Sequence, residues 1–190
     1  MGVMGRLIMM MMPVTPKFIV GWVAKRYVAG TDLESAMRVM RSMKSQDACF
    51  TLDVLGEEIT NLEEADFFVE EYRRAIFAIN KENLNANISI KPTAFGLLLD
   101  REKGLENISK ICELAAKTDI FVRLDMEDHR VTQRTIDLVL GFHQMGLKNV
   151  GTVLQGRLFR TFDDITHLTE KLGENSDHRI CKGIYLESSN

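Results

Sequence analysis

The sequence predicts an α/β fold, a (βα)₈ TIM-like barrel, for three reasons. Apolar, strand-like segments recur about every thirty residues with helical patterns between them, which is typical of repeated β-α units. Polar or charged residues follow these segments, as expected where the carboxyl ends of parallel strands share one face. No glycine-rich dinucleotide fingerprint follows the first strand, which disfavours a doubly wound sheet. Because about five units are present, we expect a barrel truncated after about five strands and preceded by N-terminal helices.

The chain divides into two parts by its pattern of apolar residues. Residues 1–46 are expected to form an N-terminal helical lead-in, and residues 47–190 a partial barrel that carries the binding sites. The first helix is predicted over residues 31–45, because Thr31 and Glu34 form a capping-box pair ahead of an apolar stripe.

The barrel elements follow from alternating strand and helix signals. Pro92 stops the second strand, Gly146 ends the helix after the third strand, and Asp163 and Asp164 suit the positive end of the last helix. The predicted strands are residues 48–55, 88–91, 120–125, 150–155 and 179–184, and the predicted helices are residues 61–80, 104–117, 131–145 and 162–172.

Composition excludes several classes of protein. The formal net charge is −3, the pI is near 5.8 and basic residues are scattered, so we expect no nucleic-acid partner. Cys49, Cys112 and Cys181 lack the close spacing of a zinc or redox site and are expected to be buried free thiols. Glu127 and Asp128 lack the ligand spacing of a metal site, so no metal is expected.

The N-terminal segment is apolar but interrupted. Residues 6–13 are too short to span a bilayer, and Pro13, Pro16 and Lys17 separate them from the next apolar run at residues 18–24. We interpret the segment as an amphipathic lead-in, with contact at a membrane surface as the alternative.

Five polar residues at or near the strand ends are the candidates for chemistry. Lys91 could clamp a carboxylate, or form a Schiff base if its pKa were depressed. Asp125 could orient a cation, and Gln155 needs a defined partner because an unpaired amide is unfavourable inside a strand. Arg179 and Lys182 suit an anionic ligand.

Purely structural roles are the alternatives to these functional interpretations. Asp125 could instead be the partner of Arg123, which lies two positions earlier on the same side of the pleat. Gln155 could be satisfied by backbone rather than by a ligand. The cations and the phenol of Tyr185 around the last strand would also occur at a solvated strand end.

Several short motifs, taken together, resemble the proline dehydrogenase family. They occur in family-like order and spacing from about residue 16 to the end of the chain. The motifs are Tyr27-Val-Ala-Gly30, Leu55-Gly56-Glu57, Ser89-Ile-Lys-Pro-Thr-Ala94 with Gly96, Val122-Arg-Leu-Asp-Met-Glu-Asp128, Val153-Leu-Gln155, Arg160-Thr161, and Lys182-Gly183 with Tyr185.

The resemblance implies FAD-dependent oxidation of L-proline to Δ1-pyrroline-5-carboxylate, in proline catabolism, with a quinone or another electron acceptor. From the widely spaced cysteines we expect a cytoplasmic protein, with contact at the inner membrane as an alternative. By motif position the resemblance implies catalytic roles for Asp125 and Arg179, substrate contacts for Lys91, Ile180 and Tyr185, flavin contacts for Met126, Gln155, Lys182, Gly183 and Ile184, and the acidic half of a gating ion pair for Glu57.

Three functional hypotheses follow. The first is a proline dehydrogenase whose remaining barrel segments are missing from this chain, so that the chain alone is expected to be inactive. The second is a barrel lyase or aldolase in which Lys91 forms a Schiff base. The third is a non-catalytic barrel fragment that acts only as an interaction partner.

Overall fold

The computed structural model describes Pro16, Gly21 and residues 28–185, so most of the apolar N-terminal run and Tyr27, the first residue of its motif, lie outside the described residues. The chain forms two compact units, Met1–Gln46 and Asp47–Asn190. Among the described residues, no helix is both long and apolar enough to cross a membrane.

The first unit contains one described α-helix of several turns, α1 (Leu33–Met43), followed by a short 3₁₀ turn over Lys44–Gln46. The expected capping-box residue was Thr31, but the structure places Asp32 at the N-cap. The Asp32 carboxylate accepts a hydrogen bond from the Ser35 N–H at 2.8 Å. A carboxylate satisfies an orphan N–H of the first turn and also favours the positive end of the helix dipole.

The second unit alternates strands with helices, as the sequence predicts. Its described strands are β1 (Phe50–Asp53), β2 (Ala86–Ile90), β3 (Val122–Leu124), β4 (Val150–Gln155) and β5 (His178–Cys181). Its described α-helices are α2 (Glu63–Glu82), α3 (Arg101–Ala116), α4 (Thr132–Gln144) and α5 (Thr161–Leu172).

All four described strand pairings are parallel, and the sheet order β1-β2-β3-β4-β5 follows the chain. Sequential parallel strands joined through helices are the arrangement of a (βα)₈ barrel, and five of them form a half-barrel. This confirms the predicted fold class.

Burial explains why these segments become strands and helices. β4 is buried along its whole length, which is expected of a parallel strand with both faces covered. α2 buries Phe68, Tyr72, Ile76 and Ile79 at helical spacing and turns its acidic and basic residues to solvent.

Two details differ from the sequence prediction. Lys91 was predicted to end the second strand, but it lies just after β2 and is followed by a short 3₁₀ helix, Pro92–Phe95, which ends at Gly96 with a positive φ of 92°. Proline favours the first position of such a turn because its φ is already fixed and it has no N–H to satisfy. The cysteines are free, but only Cys112 is buried, because Cys49 and Cys181 lie at exposed positions close to the ends of their strands.

Candidate active site

Polar side chains gather at the carboxyl ends of the strands. Asp53 ends β1, Lys91 directly follows β2, and Asp125 directly follows β3. Gln155 ends β4, and Arg179 lies within β5. Parallel strands bring these ends to one face, so residues far apart in sequence meet there.

Carboxylates and cations alternate across this face. The Lys91 ammonium lies 2.7 Å from an Asp53 carboxylate oxygen and 3.7 Å from one of Asp125. The Arg179 guanidinium lies 2.9 Å from the other Asp125 oxygen, which also accepts a hydrogen bond from the Ser89 hydroxyl. We call Asp53, Lys91, Asp125 and Arg179 the charge network.

The charge network keeps Lys91 protonated. Burial alone lowers the pKa of the Lys91 ammonium, but its hydrogen bond to Asp53 and the charges of Asp53 and Asp125 act in the other direction. The net result is a pKa above the ordinary value for lysine. A Schiff-base nucleophile needs a neutral amine, so this environment suits a cation that binds an anion.

A buried tyrosine on α2 fixes the Asp53 end of the network. Tyr72 is 1% exposed, and its hydroxyl accepts a hydrogen bond from the Val54 N–H at 3.0 Å. The same hydroxyl lies 3.1 Å from an Asp53 carboxylate oxygen and 2.5 Å from the Ser89 carbonyl oxygen, where its proton can be shared. Burial and the Asp53 charge raise the pKa of Tyr72 well above its ordinary value, so the phenol remains a donor.

Sequence reasoning missed Asp53 and Tyr72. Asp53 ends an apolar strand in the same way that Asp125 follows one, and this signal could have found it. Tyr72 lies on the apolar face of a helix, and residues at such positions are ordinarily interpreted as packing in the core.

Asp125 pairs with Arg179 and not with Arg123. The Arg123 guanidinium instead forms an ion pair with Asp177 at 2.8 Å and lies over the Phe121 ring at 4.9 Å from its centroid. β3 ends at Leu124, so the two-residue alternation of a strand does not extend to Asp125.

Gln155 finds its partners in the backbone. Its amide nitrogen donates to the Met126 carbonyl at 3.1 Å, and its amide oxygen accepts from the Tyr185 N–H at 3.3 Å. Gly183 has a φ of +82°, and a Cβ there would come within 2.2 Å of the Gln155 amide oxygen. The glycine is therefore required for the close approach of the segment after β5 to the end of β4.

The segment around β5 presents apolar and cationic side chains to solvent. Ile180 and Ile184 are 54% and 77% exposed, and Lys182 is also exposed. Met126, by contrast, is buried, and its backbone carbonyl accepts the hydrogen bond from the Gln155 amide.

Glu57 and Tyr185 meet across the mouth of the half-barrel. The Tyr185 hydroxyl lies 3.4 Å from a Glu57 carboxylate oxygen, although 128 positions separate the two residues. Burial and the charges of nearby carboxylates raise the pKa of Tyr185 to about 12. The next residue of this loop, Glu58, forms an ion pair with Arg130, in which both carboxylate oxygens lie 2.9 Å from guanidinium nitrogens.

Among the described residues, no three His, Cys, Asp or Glu side chains are grouped as a metal site would require. The acidic side chains that the sequence places after β3 are occupied instead by hydrogen bonds and ion pairs, with Thr93 for Glu127 and with Arg130 for Asp128.

Comparison with known proteins gives a consistent result. The family model described as proline dehydrogenase matches residues 36–190. Proline dehydrogenase 1 of Bacillus subtilis (strain 168) is 34% identical over 166 residues, which are 87% of this chain and 54% of that protein. Proline dehydrogenase 2 of the same strain is 36% identical over 165 residues, covering 87% of this chain and 53% of the relative.

Solved structures agree on the fold. The crystal structure of proline utilization A from Bdellovibrio bacteriovorus, inactivated by N-propargylglycine, superposes with a TM-score of 0.77 at 22% identity, covering 88% of this chain and 21% of that one. The chain spans about half the length of the curated relatives that it matches. On the family model and these relatives, the chain belongs to the proline dehydrogenase family.

Proposed function

We propose that this chain contributes its strand ends to an FAD-dependent active site that oxidises L-proline to Δ1-pyrroline-5-carboxylate. The observation that carries the proposal is the charge network at the mouth of the half-barrel, in a chain of this family. The proposal also includes a quinone or another electron acceptor, and a cytoplasmic location with contact at the inner membrane as the alternative.

Lys91 is suited to the proline carboxylate. Its ammonium carries three donors, of which one is directed to Asp53, so the others can bind an anion without breaking the network. Asp125 lies between Lys91 and Arg179 and holds both cations toward the mouth. On the segment around β5, Ile180 supplies an apolar surface and Tyr185 a phenol for the proline ring.

The residues after β5 fit an anionic, partly aromatic cofactor such as FAD. Exposed Ile184 offers apolar surface, exposed Lys182 offers a cation, and Gly183 leaves the backbone open to close approach. Gln155 keeps one amide hydrogen beyond the one it gives to Met126. FAD, when bound, supplies the acceptor for the hydride that proline loses.

Arg179 is the residue in place to stabilise negative charge at that acceptor. Its guanidinium is anchored on one side by Asp125, while 40% of the side chain remains exposed at the mouth. A permanent cation held by a carboxylate does not need to reorganise as charge develops. The Schiff-base alternative has less support, because Asp53 stabilises the ammonium form of Lys91.

A chimera tests the proposal. Residues 1–185 of this chain are joined to the half of Bacillus subtilis proline dehydrogenase 1 that the chain does not match. We expect the purified chimera to carry FAD, to reduce an artificial dye with L-proline as donor, and to release a product that o-aminobenzaldehyde traps as Δ1-pyrroline-5-carboxylate. The intact Bacillus protein is the positive control, and the chimera with Lys91→Met is the matched control for proline binding.

Other outcomes would overturn parts of the proposal. A flavin-loaded chimera that oxidises another amine but not proline would contradict the substrate, and a folded chimera without flavin would contradict the cofactor. Borohydride trapping of a carbonyl substrate on Lys91 would support the Schiff-base hypothesis instead.

A further inference from the structure

The loop between β1 and α2 contains two residues with positive φ, Gly56 and Glu58, so contacts with other parts of the chain are needed to hold its backbone. Gly56 has a φ of +151°, and a Cβ there would lie 2.3 Å from the Phe68 ring, so the loop packs closely on α2. Glu58 is not a glycine, yet its φ is +48°. A side chain in the left-handed region is unfavourable and persists when the surrounding contacts enforce it.

The first of those contacts is buried. The Glu58 N–H donates to the Thr93 hydroxyl oxygen at 2.9 Å, and that hydroxyl donates to Glu127. The Thr93 N–H donates to the second Glu127 oxygen at 3.0 Å. Thr93 and Glu127 are 4% and 5% exposed, so this chain of hydrogen bonds is shielded from water.

The second contact is at the surface. The Arg130 guanidinium binds both carboxylate oxygens of Glu58 at 2.9 Å, and its Nε lies 2.9 Å from an Asp128 oxygen. Hydrogen bonds to Arg130 lower the pKa of Glu58 and of Asp128. A bidentate, shared arginine fixes geometry better than a single exposed ion pair does.

Glu58 is thus held at its N–H by Thr93, two positions after Lys91, and at its carboxylate by Arg130, in the loop after β3. Its neighbour Glu57 is the residue that meets Tyr185 across the mouth. Neither contact of Glu58 reaches the charge network directly, so neither is used in the roles assigned above.

We propose that Glu58, Thr93, Glu127 and Arg130 form a clasp that positions Glu57 against Tyr185 and so closes the mouth between β1 and β5. In this arrangement Arg130 is a positioning residue that acts through Glu58. The role in closing a proline site rests on the proposed function, but the clasp itself can be measured in the 190-residue chain without flavin or proline.

The test variant is Arg130→Gln, because Arg130 is exposed and its loss leaves the barrel core untouched. Two readouts apply to the chain alone: amide exchange of residues 56–60, and titration of the Tyr185 ring by nuclear magnetic resonance. We expect exchange to become about fivefold faster, in the range of an exposed but bidentate bridge. We also expect the Tyr185 pKa to fall from about 12, because Glu57 no longer faces the phenol.

The direction of the Tyr185 titration separates positioning from simple charge removal. Deleting a cation without moving Glu57 would leave the Tyr185 pKa unchanged or raise it, because Glu57, Glu127 and Asp128 would then act with less compensation. Arg130→Lys should restore part of both effects. Arg134→Gln, the same change at an exposed position on α4, should move neither readout.

The clasp is overturned if Arg130→Gln leaves amide exchange of residues 56–60 unchanged, or if the Tyr185 pKa stays the same or rises. A second variant pair probes the buried half: Thr93→Ser retains the hydroxyl, whereas Thr93→Val removes it at similar volume. Faster exchange of the Glu58 amide in Thr93→Val but not in Thr93→Ser is expected, and equal rates would contradict the buried contact. Failure of proline oxidation in the chimera would leave these results unaffected.

Discussion

Replacing Arg179 by methionine is expected to slow flavin reduction in the chimera by about tenfold to a thousandfold, the range for losing one charge-stabilising group in an active site. Proline binding should change less, because Lys91 rather than Arg179 is proposed to hold the substrate carboxylate. Asp125 would lose its ion pair at 2.9 Å but would keep the Ser89 hydroxyl and the more distant Lys91. Rapid mixing of oxidised enzyme with a series of proline concentrations separates the rate of reduction from the dissociation constant.

The matched control is Arg74→Met, which removes an exposed arginine that pairs with Glu71 on α2, away from the strand ends. It should leave both parameters unchanged. An unchanged reduction rate with weakened proline binding in Arg179→Met would assign Arg179 to the substrate and contradict its role toward the flavin.

Removing the Tyr72 hydroxyl is expected to lower the free energy of unfolding of the 190-residue chain by about 1–3 kcal/mol, as for leaving buried polar groups unsatisfied. In Tyr72→Phe the ring still fills its site, but the Val54 N–H and the Ser89 carbonyl lose their partner, and Asp53 loses a donor. The measurement is denaturant unfolding with a common slope for both proteins.

Tyr185→Phe is the control for that change. Its hydroxyl makes one long contact of 3.4 Å and is partly exposed, so its removal should have a much smaller effect. Equal unfolding free energies for the Tyr72→Phe and unmodified chains would show that the Tyr72 hydroxyl is not the anchor of Asp53.

The strand and helix order could be predicted because each element has a strong local signal. The helix that becomes α2 shows apolar residues at helical spacing, and β4 is a continuous apolar run that ends in Gln155. The convergence of Lys91, Asp125 and Arg179 followed from parallel topology alone. The ends of the elements differed from the prediction by a few residues. The last strand, for example, ends at Cys181, where its pairing with β4 ends.

What could not be predicted depends on long-range contacts. Tyr72 lies on an apolar helix face, and its hydrogen bonds to two strand ends exist only once α2 packs on the sheet. Glu58 and Arg130 are 72 positions apart, and no local pattern pairs them. Gln155 needed a partner on physical grounds, but the sequence could not show that Met126 and Tyr185 backbone groups provide one.

The most direct test of the central claim is the visible absorbance of bound flavin when the chimera is mixed with L-proline in the absence of oxygen. We expect the absorbance band of the oxidised flavin to disappear, as it should in the Bacillus parent. A flavin-loaded chimera whose band persists with L-proline, while that of the parent disappears under the same conditions, would contradict the claim that these strand ends form a proline-oxidising site.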